Sequence, residues 1–176
     1  GSSVKYFGLK NHIWYVDTNS DDIKAMLLFR SSFPHPSVIM RKSLFTEAGG
    51  SYDPSYRYTE DYDLWVQLLA KTNFANLPDV LLGYRIHPSQ ATTKYGLEQE
   101  AEAGWIRLRQ LQALGITPTE QEFQLHQTLS NGRHPGNQDL IQLWFAKLAA
   151  ANNHLGHYPK QAFTKLLSEF TAKRLW

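Results

Sequence analysis

Gly49-Gly50-Ser51-Tyr52-Asp53 and, five residues further on, Thr59-Glu60-Asp61-Tyr62-Asp63-Leu64-Trp65 form the stretch on which the reading of this chain turns. Thr59 is a residue type that caps helix N-termini. Glu60, Asp61 and Asp63 place negative charge in a first turn, where the helix dipole favours it. Leu64, Trp65, Leu68 and Leu69 then recur at helical spacing, so a helix is expected from Thr59 to about Lys71. The glycine pair ahead of it is suited to ending another helical turn, expected over Ser43 to Ala48.

Upstream of this stretch, the residues before the prolines of Phe33-Pro34-His35-Pro36 are pushed out of the helical region, which predicts an extended segment. Ser37-Val38-Ile39-Met40 then reads as a buried strand. Asp21-Asp22 followed by Ile23, Met26, Leu27 and Leu28 predicts a short helix, and Ile13-Trp14-Tyr15-Val16 a short strand. The rest of the segment from Val4 to Asp22 carries no long period. Downstream, a Pro78-Asp79 turn precedes an apolar run from Val80 to Ile86, read as a strand ending at His87-Pro88. Beyond it, residues from about Tyr95 to Leu114, Thr119 to Leu129, Gln138 to Asn152 and Pro159 to Trp176 carry helical apolar patterns. Gly115, Pro118, Gly132, Pro135, Gly156 and Pro159 punctuate these helices. The expected class is α+β and mainly helical. Residues 1–93 would form a partial mixed sheet with flanking helices, and residues 94–176 a C-terminal helical bundle.

The chain has 176 residues, 42% of them hydrophobic and 13% aromatic, enough to bury a core of its own. Eighteen basic and sixteen acidic residues leave a net charge of +2 without a run of like charges, so no nucleic-acid partner is expected. There is no cysteine, which fits a reducing compartment. No stretch reaches the ~18 consecutive apolar residues of a membrane span. The chain opens on Gly1-Ser2-Ser3 without an initiating Met. That start reads as a cloning scar on an excised piece of a longer protein.

The three carboxylates near Glu60 have two readings. They complement the helix dipole, or one of them serves as a general base held ionised at the positive end of the helix. Asp61, on the same face as Trp65 and Leu68, suits the second role. Asp61-Tyr62-Asp63 also spells D-x-D, but residues i and i+2 on a helix point about 200° apart, so the pair is not expected to share a metal ion. His87 lies where the last strand gives way to helix, and strand ends are where ligands collect. His35, between two prolines, either caps a turn or lines a pocket. The remaining histidines, His12, His126, His134, His154 and His157, lack metal-ligand spacing and are expected at the surface.

Taken in order, Pro36-Ser37-Val38-Ile39-Met40-Arg41, Gly49-Gly50-Ser51-Tyr52-Asp53, Thr59-Glu60-Asp61-Tyr62-Asp63-Leu64-Trp65, Leu81-Leu82-Gly83-Tyr84-Arg85 and His87 resemble the second half of a family 2 glycosyltransferase of the GT-A fold. The resemblance covers about residues 20–93. It implies transfer of a sugar from a nucleotide-diphosphate donor to a saccharide or lipid-linked acceptor, with inversion and a divalent cation, Mn or Mg, on the diphosphate. Asp61 would be the catalytic base, with Glu60 beside it. Gly49, Gly50, Tyr52, Asp53, Trp65 and Arg85 would be on the substrate side. His87 would face the diphosphate or its metal, together with a D-x-D upstream of this chain. The family's nucleotide-binding half is missing, so the chain by itself is expected to be inactive and to bind no cation. The resemblance further implies a bacterial setting in polysaccharide assembly, in the cytoplasm or at the inner face of the membrane. A competing reading makes the helical half a non-catalytic binding or homo-oligomerisation module, using the apolar faces of Trp105, Trp144, Phe145, Phe163 and Trp176.

Overall fold

The computed structural model describes residues 1–172. Ser2–Gly8 (β1), His12–Trp14 (β2) and Leu77–Ile86 (β3) form a three-stranded sheet in the order β2-β1-β3. β2 runs antiparallel to β1, with Val4 opposite Trp14 and Tyr6 opposite His12. β3 runs parallel to β1, with Val4 opposite Leu82 and Tyr6 opposite Tyr84. A parallel pair needs a long crossover. Here it contains α1 (Ser20–Met26), a 3-10 turn at His35–Ser37, α2 (Ser43–Thr46) and α3 (Glu60–Gln67). After β3 come α4 (Ala91–Lys94), α5 (Gly96–Ala113), α6 (Glu120–Ser130), α7 (Gln138–Leu155) and α8 (Lys160–Thr171). The fold is thus α+β, 49% helical and 12% strand, with a small mixed sheet.

The helix boundaries have local causes. Asn19 caps α1 by accepting from the backbone N–H groups of Asp21 and Asp22 at 2.8 and 3.3 Å. Thr119 and Glu122 form a reciprocal capping box at α6. Asn137 caps α7, which ends on Gly156 in the left-handed conformation at φ 65°.

The end of α1 is buried, and its orphan carbonyls are met from far along the chain. The Leu27 carbonyl accepts from Tyr62 Oη at 2.6 Å and Gln110 Nε2 at 2.9 Å. The Leu28 carbonyl pairs with His126 Nε2 at 3.2 Å, and that of Phe29 with Arg107 Nε at 2.7 Å. α5 and α6 therefore supply the polar partners that α1 lacks. α8 packs on α1 and on α7. One apolar core runs from Ile23 through Leu64 and Trp65 to Ile106, Trp144, Phe145, Phe163 and Phe170. Trp105 is 60% exposed, and Trp176 lies outside the described residues.

Several expectations are corrected. The aperiodic segment before His12 contains the central strand β1, whose buried residues include Ser2, Ser3 and Val4. Small serines hide its apolar pattern, and pairing with the distant β3 stabilises it. At its start the Gly1 carbonyl accepts from the Leu77 N–H at 2.9 Å. Val38 to Met40 form no strand. Among the described residues they pair with neither β1 nor β3, and Ile39 is 94% exposed. His126 is completely buried, because it serves the Leu28 carbonyl. The final helix is described only to Thr171. Among the described residues, no helix is long and apolar enough to cross a membrane.

Candidate active site

The start of α3 borders a cleft of about 670 Å³, a size typical of small-molecule sites. One wall comes from the sheet and carries Tyr6, Trp14 and Tyr84. Facing it are His35, between Pro34 and Pro36, and Asp61 in the first turn of α3. Gln90, Thr92 and Thr93, at and just after the entry to α4, also line it.

Asp61 sits there because of what precedes it. The loop entering α3 is anchored by Glu102 of α5, whose carboxylate accepts from the backbone N–H groups of Arg57 and Tyr58 at 3.2 and 2.9 Å and from Thr59 Oγ1 at 3.1 Å. Within the helix, the Tyr62 N–H donates to Asp61 Oδ1 at 2.7 Å. The other carboxylate oxygen, Oδ2, lies 3.8 Å from His35 Nδ1. That separation permits attraction but is too long for a hydrogen bond. Burial pushes the Asp61 carboxyl above its ordinary value, and Glu60 adds to the rise. The Tyr62 N–H and His35 oppose it. The result is a carboxylate more basic than usual, still held by the positive end of a helix and open to a ligand.

Tyr52 joins this group. Its ring stands edge-on to His35 at 6.3 Å and 5.7 Å from Phe45. Burial raises its phenol, and the charges of Asp61 and Glu60 raise it further. Trp65 lies behind His35, with ring centroids 6.0 Å apart, and packs on Phe33 at 5.1 Å. It also borders a second cleft of about 420 Å³ lined by Val38, Met40 and Leu44. The fold thus gathers Asp61, Tyr52 and Trp65 around His35, with Glu60 acting on Asp61 and Tyr52.

Other candidates lie elsewhere. Asp63 turns into the protein, where Arg109 Nη2 binds Oδ1 and Gln67 Nε2 donates to Oδ2 at 2.6 Å. The two D-x-D carboxylates therefore meet separate partners, as their helical spacing requires. Gly49 adopts φ 69° at the end of α2, and the Gly50 N–H donates to the Leu44 carbonyl at 2.8 Å. A Cβ on Gly50 would lie 2.9 Å from that same oxygen, so this glycine is required by packing between α2 and α3. Asp53 accepts from Ser55 Oγ and from the Ser55 N–H, which together hold its carboxyl below the usual range. Arg85, opposite Phe7, is exposed on the sheet face away from Tyr84. His87 Nδ1 engages Ser89 Oγ at 3.0 Å in the turn before α4. Among the described residues, no group of three or more His, Asp or Glu side chains could hold a metal ion.

Sequence reading missed the aromatic wall. The available signal was the spacing of Tyr6 after Val4 and of Tyr84 after Leu82, which puts Tyr6 on the same face as the buried Val4 and Tyr84 on that of the partly buried Leu82.

No protein-family model matches the chain, and no solved structure matches it. Curated sequences do. An uncharacterized glycosyltransferase of Haemophilus influenzae is 30% identical over 95 residues, which is 54% of this chain and 29% of that protein. A second uncharacterized glycosyltransferase of the same organism is 33% identical over 102 residues, 57% of this chain and 36% of the relative. The O-antigen biosynthesis glycosyltransferase WbnJ of Escherichia coli is 34% identical over 82 residues, 45% of this chain and 31% of that protein. About half of the chain is therefore similar to proteins named as glycosyltransferases, and the matches span roughly a third of each relative's length.

Proposed function

We propose that this chain supplies the acceptor site and the catalytic base of an inverting, nucleotide-sugar-dependent glycosyltransferase of the GT-A type. The observation that carries the reading is Asp61, a partly buried carboxylate at a helix N-terminus with a raised proton affinity, facing an open aromatic cleft beside His35. An acceptor hydroxyl in the cleft would give its proton to Asp61 as its oxygen attacks the anomeric carbon of the donor. The nucleoside diphosphate then leaves from the opposite face, inverting that centre. Such a displacement needs one base and a stabilised leaving group.

The contacts support a division of labour. Residues 1–93 carry the cleft. The proposed helical extension, residues 94–176, would support it: among the described residues Glu102 anchors the entry to α3, and Arg107, Gln110 and His126 close the end of α1. A divalent cation and the diphosphate would be held chiefly by sequence upstream of this chain, in a cytoplasmic protein or one bound peripherally at the inner membrane face. The similarity to an O-antigen biosynthesis enzyme supports an acceptor that is a growing saccharide.

Calorimetric titration of UDP with Mn²⁺ tests this assignment. A longer protein that carries this chain with its upstream sequence should give saturable heat, and the chain alone none. Equal binding by the chain alone would place the donor site within residues 1–176 and overturn the assignment.

A further inference from the structure

The sheet face that looks onto Asp61 is built of rings. Tyr6 of β1 lies directly opposite His12 of β2 and Tyr84 of β3 in the strand register. Its ring is 4.6 Å from that of His12 and 5.2 Å from that of Tyr84, and it is stacked at 9° with that of Trp14 at 6.4 Å. Val4, on the same face of β1, is completely buried, whereas Tyr6, Trp14 and Tyr84 keep part of their surface exposed. The face therefore leaves the core and continues into the cleft as an aromatic platform. Across from it, beside Phe33, Pro34 and Pro36, the lining supplies hydrogen-bonding groups: His35, Asp61, Gln90, Thr92 and Thr93.

A cleft with a flat apolar wall opposite a polar one suits a ligand with a C–H face and a rim of hydroxyls. Formal charge selects further. Lys10 and Asp61 are the cation and the anion among the described lining residues, and no arginine lines the cleft. A diphosphate would meet a single lysine set against the Asp61 carboxylate, and no guanidinium to hold it bidentately.

We infer that Tyr6, Trp14 and Tyr84 form a stacking subsite for a neutral pyranose ring, which presents one of its hydroxyls to Asp61. This deepens the proposed function and rests on it for the direction of transfer. The binding itself does not require Asp61 to be the base. Ring contact from the sheet sets which sugar faces are accepted, and Gln90, Thr92 and Thr93 read the hydroxyl pattern.

The test is a two-dimensional ¹H–¹⁵N NMR titration of the chain. The probes are the methyl glycosides of glucose, galactose, mannose and N-acetylglucosamine, with UMP and pyrophosphate in parallel. At least one glycoside should shift the Trp14 indole N–H and the Thr92 and Thr93 amides together, saturating with a dissociation constant on the order of millimolar. The Trp105 indole should not move. Tyr84→Phe should retain binding, Tyr84→Ala should weaken it about tenfold, and Gln90→Ala should weaken it without altering the sheet. Asp61→Asn should still bind sugar. Absence of any glycoside shift, or tighter binding of UMP or pyrophosphate at the same residues, overturns the subsite. Sugar binding that persists in a protein whose transfer is indifferent to Asp61→Asn would overturn the base and leave the subsite standing. Transfer lost on Asp61→Asn without glycoside binding would do the reverse.

Discussion

His126 makes the molecule acid-sensitive by an amount that can be worked out. Its Nε2 faces the Leu28 carbonyl at 3.2 Å, and its Nδ1 accepts from Trp144 Nε1 at 3.3 Å. These two bonds specify the neutral ring with its proton on Nε2. A second proton would displace the Trp144 bond and place a charge beside Arg107 in the core. Burial accordingly depresses the pKa from 6.5 to about 3, the Leu28 carbonyl opposing that and Arg107 reinforcing it. In the unfolded chain the ring titrates at its ordinary value, so between pH 6.5 and 3 the unfolded state holds one proton more than the native state. Stability therefore falls as pH drops below 6.5, by about 1.4 kcal/mol per unit. At pH 5.0 the loss from this one residue is about 2 kcal/mol. The assay is urea unfolding at pH 7.5 and 5.0, comparing wild type with His126→Gln, whose amide can still donate to Leu28 but does not titrate. The variant should be weaker at pH 7.5 by about 1–3 kcal/mol. Its disadvantage should shrink by about 2 kcal/mol at pH 5.0. Asp61, whose raised pKa acts in the opposite sense, is common to both proteins and cancels in the comparison. A gap between the two proteins that is the same at both pH values would refute the account of a buried neutral ring.

Arg109→Met should leave Asp63 buried with only Gln67 as a side-chain partner. Because the Arg109 side chain is 45% exposed, the expected loss is reduced to about 2 kcal/mol, read as a fall in Tm. Glu102→Ala removes three hydrogen bonds from the loop entering α3 and should cost at least about 3 kcal/mol, with Glu102→Gln losing less; hydrogen exchange at Tyr58 and Asp61 would report the loosening. Lys165→Met breaks an exposed 2.8 Å pair with Asp22 and should change stability by less than about 0.5 kcal/mol in the same melts.

Local signals carried much of the fold. The caps and apolar spacing of α6 and α7 are local, as are the apolar spacing of α3 and the apolar run that becomes β3, whereas Thr59 makes no cap bond and donates instead to Glu102. What the sequence concealed depends on distant partners. β1 becomes a central strand because β3, some 70 residues away, pairs with it, and Ser2 and Ser3 carry no hydrophobic alternation to announce it. Val38 to Met40 carry a strand-like pattern but pair with none of the three strands, although Val38 and Ile39 lie beside β3. His126, Arg107 and Gln110 look like surface residues until the end of α1 is placed against them. At the candidate site, the place of Asp61 in the first turn of α3 was legible from local sequence, whereas its approach to His35 and the facing aromatic wall arise only when the crossover folds back on the sheet.

The central claim is that Asp61 removes the acceptor proton. Release of nucleoside diphosphate from a sugar donor, followed in a longer protein that contains this chain and its upstream sequence, tests it directly when Asp61→Asn is compared with wild type. The account predicts a loss of about 10²–10⁴-fold, with folding by circular dichroism unchanged. It also predicts that wild-type activity rises with pH through a value above the ordinary carboxylate range, because the base must be ionised. Transfer by Asp61→Asn at near the wild-type rate would contradict it.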